Sequence, residues 1–483
     1  MTSSTLGQGY SFTNQTSTRL PVPPNDPALS ISDPEEKDFA WGDLNHDGTI
    51  DLVVARKQPL STPGRRRNVL FMNENGVFID RTEEYASAAD DGGNGFLDLT
   101  NDRDIAMADF NNDGWLDVVT ATTYGQGLPK TISHPRIYMN LGEIDGQWQG
   151  LRYEEARIPE FAGAPNFCGV AVGDVTGDGF VDLYFIDYDL GNFISPFEDR
   201  LLINIGNGFF IDQTESRMTS GMVASSFGIH AEIVDMNNDG WNDIIKSQNG
   251  PVHVAYNGGS GFFNAYEQVY GGSSYFASTG DLNNDGMLDI IISDDGIDRY
   301  LLNQGNGGDG LANFTSFAFP GSTSGFGSNS YIVDLDNNGF NEVLIADFDV
   351  DAGSCSGLAD VLRSNENPPN PTFFDDAGGI SSAALSGVHD LGIFDIDEDC
   401  WLDIVIGRCG GITVWINQNP GNACVGQCTG DVNGDETVGT ADLLDLFADW
   451  GHSPGSNADF DGNGQVNTED LLILFANWGP CPK

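Results

Sequence analysis

Nine short stretches of this chain place carboxylate and carboxamide side chains at spacings that suit a hard divalent cation. In Asp43-Leu44-Asn45-His46-Asp47-Gly48-Thr49-Ile50-Asp51 the oxygen-bearing side chains fall at positions 1, 3, 5 and 9. Gly48 at position 6 permits a sharp turn that aims the carbonyl of Thr49, at position 7, inward. A calcium ion takes six to eight oxygens at about 2.3–2.6 Å, and this spacing supplies oxygens of that kind. The set recurs as Asp109, Asn111, Asp113, Trp115 and Asp117; as Asp174, Thr176, Asp178, Phe180 and Asp182; and as Asp235, Asn237, Asp239, Trp241 and Asp243. It returns as Asp281, Asn283, Asp285, Met287 and Asp289; as Asp334, Asp336, Asn338, Phe340 and Glu342; and as Asp395, Asp397, Asp399, Trp401 and Asp403. In each set the fourth residue named offers its carbonyl. The seventh copy has Cys400 where the others have Gly, and a side chain there adds strain at a positive φ. Two further loops carry their last acid at position 12: Asp431, Asn433, Asp435, Thr437 and Asp442, then Asp459, Asp461, Asn463, Gln465 and Asp470.

Asp-Asn-Gly stretches also make plain turns. What lifts these above turns is their setting. The first acids of the seven shorter loops are 66, 65, 61, 46, 53 and 61 residues apart, the range of a four-stranded propeller blade. Each loop leaves into a short apolar run (Asp51-Leu52-Val53-Val54-Ala55, Asp289-Ile290-Ile291-Ile292), which predicts a buried strand. A third strand ending in Asn comes next, as in Val69–Asn73 and Val414–Asn417, and then a Gly turn and a fourth strand. The seventh unit stops after Asn417. Its missing strand is predicted at the other end of the chain, where residues 9–16 read like the fourth-strand segments elsewhere. The expected fold is all-β: a seven-bladed β-propeller over residues 1–419, closed by the N-terminal strand, which removes exposed sheet edges. A small α-helical calcium module is expected over residues 420–483.

The seven-fold unit resembles the FG-GAP or VCBS repeats of the integrin α-subunit propeller, over about residues 9–419. The resemblance implies a calcium hairpin between the first two strands of each blade and a ligand face on the opposite side of the ring. In the C-terminal module each 12-position loop precedes an apolar helical pattern, Leu443, Leu444, Leu446, Phe447 and Trp450 matching Leu471, Leu472, Leu474, Phe475 and Trp478. That pattern is read as one apolar face that packs internally. The pair resembles a type I dockerin, which implies a cohesin-like partner, recognised through Thr440 and Ala441 and through Thr468 and Glu469. The first of these loops departs from the family with Glu436 in place of Gly. Up to nine calcium ions are expected in all.

The charge balance excludes some partners. With 20 Lys and Arg against 72 Asp and Glu the net charge is −52, so no basic footprint for nucleic acid exists. No window is apolar over the length of a membrane span. Met1–Gln8 lacks the layout of a signal peptide, and a removed leader is expected, because calcium loops and seven cysteines point to an extracellular or cell-surface protein. Cys424, Cys428 and Cys481 bracket the terminal module and suit a staple; Cys355 and Cys409 are a second candidate pair, and an odd count leaves one thiol over.

Catalytic signatures are sparse. No Gly-x-Ser-x-Gly elbow, phosphate loop or zinc His pair occurs. His230 and His389 lie five and six positions before a loop's first acid, where other units place Asp38, Asp104, Asn329 and Asp390 beside Lys37 and Arg103; together these would ring the mouth of a central channel. Polar rings of this kind also serve hydration alone. Arg56, Lys57, Arg65, Arg66 and Arg67 cluster in one loop, on the face of Lys37 and Arg103, where an anionic glycan could be forked by guanidinium groups. Two functions are carried forward. One is a secreted propeller that recognises glycan or a surface protein and is anchored through its dockerin. The other is a polysaccharide-degrading enzyme, a lyase on acidic glycan, with His230, His389 and Arg103 as candidates.

Overall fold

The computed structural model describes residues 9–21, 36–57, 66–123, 134–161, 166–188, 198–224, 229–248, 250–320, 327–347, 357–364, 370–408, 410–418, 432, 437–448, 450, 458, 466–476 and 478–480. The chain forms two compact units, residues 1–396 with 403–418 and residues 397–402 with 419–483.

The larger unit is built of sheets of antiparallel strands, one acidic hairpin after another, with a single parallel pairing of Ala88–Ala89 on Leu151–Tyr153. The first sheet runs Glu36–Gly42, Asp51–Lys57, Val69–Asn73, Phe78–Asp80, each strand paired with the next. The same order is repeated by Asp102–Ala108, Asp117–Thr122, Arg136–Asn140 and Leu151–Tyr153, and by Phe167–Gly173, Asp182–Asp187, Arg200–Asn204 and Phe210–Asp212. It recurs in Ser330–Val333, Glu342–Ile345, Asp360–Ser364 and Phe373–Asp375. Second and third strands are apolar without alternation because both their faces are covered: Val69–Asn73 and Asp117–Thr122 are buried at every residue.

The fourth and fifth repeats differ from the expected separate units. Phe263–Gly280 is one 18-residue strand that serves as the outer strand of the fourth repeat and the inner strand of the fifth, so the two make a single seven-stranded sheet. With no connection to cross, these two loops lie only 46 residues apart in the sequence.

The last sheet joins the chain ends. Val388–Phe394, Asp403–Arg408 and Gly411–Asn417 take their fourth strand from Phe12–Asn14, which pairs antiparallel in the register Phe12↔Asn417, Thr13↔Ile416, Asn14↔Trp415. The residues just after this strand bond as their counterparts do in the other repeats. Thr16 Oγ1 accepts the Val414 N–H, as Thr82 Oγ1 accepts that of Leu70 and Thr214 Oγ1 that of Leu201. Arg19 reaches from Gln15 to the Gly76 carbonyl in the turn of the first sheet, and Arg217 likewise reaches from Gln213 to the Ser260 carbonyl.

Neighbouring sheets share their cores. Phe39, Val54 and Phe71 pack with Phe394, Val405 and Val414, while Val53, Leu70 and Met72 pack with Ile105, Val118 and Tyr138. Shared clusters continue through the third, fourth, fifth and sixth repeats. The whole is a β-propeller-like fold.

Deleting residues 1–20 should leave the Gly411–Asn417 edge unpaired and remove the buried rings of Tyr10 and Phe12. Burial of a Phe side chain contributes about 1.5–3 kcal/mol, and a bare strand edge invites pairing with another chain. The truncated protein is expected to melt several degrees lower (about 2–4 °C per kcal/mol in a mid-sized domain) and to self-associate by light scattering. An equally stable, monomeric truncation would contradict this role.

Candidate functional site

Five of the acidic loops share one construction, and in the third Gly177, at position 4, donates in place of position 5. At position 1 the two carboxylate oxygens accept the N–H groups of positions 5 and 6: Asp47 and Gly48 donate to Asp43 at 3.1 and 3.0 Å, Asn338 and Gly339 to Asp334 at 3.0 and 2.7 Å. At position 5 the side chain accepts the N–H of position 7, as in Trp115 to Asp113 at 3.0 Å. The glycine at position 6 has φ between +80° and +92° in six loops, with no neighbour within 4 Å of where a Cβ would sit. Conformation, not space, requires it.

The acid at position 9 is wholly buried and holds two strands together. Asp51 accepts the N–H of Leu44 at 3.1 Å and of Asn73 at 2.9 Å, and Asp117, Asp182, Asp243, Asp289 and Asp403 do the same in their repeats. Burial pushes Asp51, Asp117, Asp182, Asp243 and Asp289 up to about 7, against the pull of these N–H donors. Glu342 rises to about 8; one of its oxygens accepts the Leu335 N–H, and its other, Oε1, is buried with no hydrogen-bond donor. Ligand atoms of Asp334, Asp336 and Glu342 lie within 4.8 Å of one another. An all-oxygen donor set, crowded and desolvated, fits a hard divalent cation that would keep these acids ionised. The sixth loop differs in charge, because Arg363 is paired with Asp336.

The inner strands surround a cavity of about 540 Å³ lined by Asp38, Trp41, Asp104, His230, Glu232, Asn329 and Tyr331. Two of these carboxylates, Asp38 and Asp104, meet a third, Asp390, which is buried behind them. Asp390 accepts the Phe39 N–H at 2.7 Å, the Tyr331 hydroxyl at 2.7 Å and the Asn329 amide at 2.9 Å. The same amide donates to Asp38 at 3.1 Å, and Asp38 is hydrogen-bonded to Asp104, which also accepts the Val170 N–H at 2.7 Å. Burial raises all three carboxyls, and their mutual repulsion adds to it for Asp38. Two carboxylates in direct contact share a proton. Burial likewise pushes Glu232 up to about 7, while its Oε2 accepts both the N–H and the hydroxyl of Thr279. His230 Nδ1 lies 3.0 Å from the Ala277 carbonyl, and burial lowers the ring to about 4, so it is neutral with Nδ1–H donating.

In the smaller unit, helices Thr440–Ala448 and Thr468–Ala476 lie against a short ladder of Thr437–Val438 with Gly479–Pro480. Asp442 and Asp470 are buried at the helix starts. Asp442 accepts the N–H groups of Val432 and Gly439, and Asp470 that of Asn467. The apolar residues do not form one inward face, contrary to the expectation from their periodicity. Leu446 and Leu474 are fully buried beside Val438, Ala458 and Val466, whereas Leu444, Phe447 and Trp450 are exposed, as are Leu472, Phe475 and Trp478. Each outward set carries a tilted ring pair, 5.5 Å between Phe447 and Trp450 and 5.7 Å between Phe475 and Trp478.

A family model described as FG-GAP-like repeat matches residues 43–120, 109–185, 235–291 and 281–345, and one described as Dockerin type I domain matches residues 429–477. The chain belongs to the FG-GAP-like repeat family. It carries four such repeats and a C-terminal type I dockerin. Type I dockerins bind calcium and bind cohesins, and proteins that bear them are typically extracellular. No curated protein matches the FG-GAP chain. Among solved structures, one of an Agrocybe aegerita lectin that recognises non-reducing terminal N-acetylglucosamine is 14% identical, covers 80% of this chain and 86% of its own, and gives a TM-score of 0.49. BBS1N in complex with ARL6DN, soaked with lead, is 11% identical with a TM-score of 0.46, over 81% of this chain and 94% of that one; the mercury-soaked crystal gives 10% and 0.45 over the same shares. No helix among the described residues is long and apolar enough to cross a membrane.

The remaining candidate residues of the FG-GAP chain are dispersed. Arg103 and His389 line one small recess with Lys37, next to the cavity that holds His230. Arg103 donates to the thiol sulfur of the buried Cys168 at 2.9 Å, and Lys37 to the Arg408 carbonyl at 3.3 Å. Lys37 and Arg56 stand opposite each other on paired strands and are both buried; Arg66 and Arg67 are half-buried. Cys400 has φ +64°, the left-handed conformation of the glycines it replaces, and it is disulfide-bonded. Arg65, Asp431, Asn433, Asp435, Asp459, Asp461, Asn463, Gln465, Cys355, Cys409, Cys424, Cys428 and Cys481 lie outside the described residues, as does the side chain of Glu469. Sequence reasoning places Asp38, Asp104 and Asp390 at the channel mouth but misses their contact, which depends on how neighbouring inner strands converge.

The raised carboxyls set a pH dependence. A folded-state value above that of the unfolded chain means stability is fully present below about pH 4 and is lost as pH rises through the folded value, at up to about 1.4 kcal/mol per pH unit per proton. Asp38→Asn keeps the acceptor for Phe39 and Asn329 but cannot ionise. In saturating calcium, with Tyr331, Arg103, Lys37 and His389 around the trio unchanged, the variant is expected to lose less stability than wild type between pH 5 and 8 by urea denaturation. Parallel pH profiles would refute proton sharing at this trio.

Proposed function

We propose that the FG-GAP repeats form a seven-bladed ring over residues 1–419, riveted by calcium in each acidic hairpin and closed by the N-terminal strand. On this reading the ring is a secreted recognition module for an anionic glycan or a surface protein, and the dockerin over residues 420–483 hangs it on a cohesin-bearing scaffold or cell surface. Ring closure is supported by Asn73, whose amide donates to the Ile396 carbonyl of the last loop at 3.0 Å, and by the shared core of the first and last sheets.

The observation that carries recognition rather than catalysis is how the inner polar groups are spent. Asp104, Glu232 and Asp390 each accept an N–H from the next inner strand, and His230 donates to a carbonyl. These are the duties of residues that hold strands in place. Arg65, Arg66, Arg67 and Arg103 are the proposed anionic-ligand residues, and a polyanion fits guanidinium donors in an otherwise acidic surface.

Chelation tests the calcium reading: excess EDTA is expected to lower the melting temperature by about 10 °C or more, since ligands of the folded state stabilise it by mass action, and an unchanged melt would refute it. A panel of sulfated and uronate glycans tests the ligand, with binding expected to drop at least tenfold in Arg65→Ser/Arg66→Ser/Arg67→Ser. Release of unsaturated products that ceases in His230→Ala would instead establish the lyase. For the dockerin, Phe447→Asp/Phe475→Asp is expected to abolish capture by a cohesin panel while leaving the helices intact by circular dichroism; undiminished capture would place the contact elsewhere.

A further inference from the structure

The acidic loops are bonded to one another as well as to their own strands. Three links recur, each joining a loop to the next repeat along the chain. In the first link, the carbonyl at position 2 accepts an amide from the Asn that ends the next repeat's third strand. Leu44 accepts from Asn140, Phe110 from Asn204 and Val175 from Asn257, all at 2.8 Å; Met236 accepts from Asn303 at 3.2 Å and Leu335 from Asn417 at 3.1 Å. In the second, the position-1 carbonyl of Asp174 or Asp281 accepts from position 8 of the next loop, Asn242 or Asn341, at 2.8 Å. In the third, the position-4 side chain, held at positive φ, donates to the position-6 glycine carbonyl of the next loop. Asn112 reaches Gly179, Asn238 reaches Gly286 and Asn284 reaches Gly339. Where position 4 is His46, the contact is made instead by stacking on Trp115, with centroids 3.9 Å apart.

These links grip the parts of each loop that a cation must organise. Positions 1 and 2 carry the first carboxylate and its peptide, and the glycine carbonyl at 6 fixes the peptide that precedes the position-7 carbonyl. A loop drawn in around an ion therefore presents its neighbour's partners in the bonded geometry, while a loop spread by carboxylate repulsion does not. From this lattice we infer that the hairpins bind calcium cooperatively, each occupied loop raising the affinity of the loops beside it. The inference rests on the reading that these loops hold calcium. One hydrogen bond of this sort, made in one state and not the other, corresponds to roughly a three- to tenfold change in affinity.

Hydrogen exchange resolved by peptide, on the full chain over a calcium titration, reads each loop separately and keeps the dockerin sites apart. Asp285→Ala removes a carboxylate from the fifth loop at an exposed position. The calcium midpoint for protection of the fourth and sixth loops is then expected to rise three- to tenfold, with the second loop unchanged. Asn238→Gly/Asn284→Gly leaves every carboxylate in place and keeps the positive φ strain-free, as Gly177 does in the third loop. It is expected to make the fourth, fifth and sixth loops titrate less steeply than in wild type. If calcium protects all the loops but Asp285→Ala leaves its neighbours' midpoints untouched, coupling is refuted and the calcium reading stands. If calcium protects no loop of the wild-type repeats, the calcium reading fails and cooperativity falls with it.

Discussion

Seven times along the chain a carboxylate is buried where a strand leaves its loop, and the chain around it is arranged to supply that group with donors. An ionised carboxylate taken out of water is costly unless hydrogen-bonded or paired. In six of the seven repeats the answer is the same pair of N–H groups, one from position 2 of the loop and one from the Asn that ends the third strand. That pairing fixes the hairpin, sets where the third strand must stop and places the Asn side chain between two repeats, with its Oδ1 accepting an N–H of its own Gly turn. The side chain then meets the preceding loop's carbonyl. One buried acid thus dictates both the shape of a repeat and the way it grips its neighbour. The sixth repeat lacks the Asn. Ser364 stands there, the acid is Glu342 with a bare Oε1, and Arg363 comes in to pair with Asp336.

Much of this is legible in the sequence because it is local. A nine-residue loop with Gly at position 6 has few other conformations, and the apolar runs on either side are too short for helices and too regular to be chance. The N-terminal strand can be found because the seventh repeat lacks one, and Thr16 and Arg19 do what Thr214 and Arg217 do. Less legible is anything set by which faces meet. At 3.6 residues per turn, Leu443, Leu444, Leu446 and Phe447 span a sector of about 160°. One packing surface covers only part of that, so Leu446 is buried and Leu444 is exposed. Periodicity defines the sector but not its division. The fused strand Phe263–Gly280 is hidden for a related reason: the sequence between Tyr266 and Phe276 is polar and glycine-bearing, and it reads as a connection.

The acidic surplus also has a structural side. Each inner strand presents an open edge to the cavity, and its N–H groups need acceptors where no further strand can pair. A carboxylate on the preceding inner strand provides one, and Asp104, Glu232 and Asp390 all do so. Unlike a carbonyl, a side-chain acid can reach across a splayed gap between strands that do not form a ladder. The consequence is that acids accumulate along the inner wall and come into contact where they converge, as Asp38 does with Asp104. Their crowding, which raises Asp38 further, thus follows from edge satisfaction.

The direction of these bonds is itself informative. Where an inner-strand N–H meets Asp104, Glu232 or Asp390, the acid belongs to the repeat before the donor, taking the last repeat to precede the first, and the amides of the Asn residues that end the third strands run the same way. A consistent sense of this kind leaves the first repeat with donors that no earlier repeat receives, and the last with acceptors that no later repeat fills. Phe39 and Asn73 of the first repeat donate to Asp390 and Ile396 of the last. Without these two bonds a buried carboxylate would lose its N–H donor and a loop carbonyl its amide. Such groups cost about 1–3 kcal/mol each when unmet. The pairing of Phe12–Asn14 with the last sheet therefore does more than cover an edge. It holds the last repeat where the acceptors of Asp390 and Ile396 face the donors of the first.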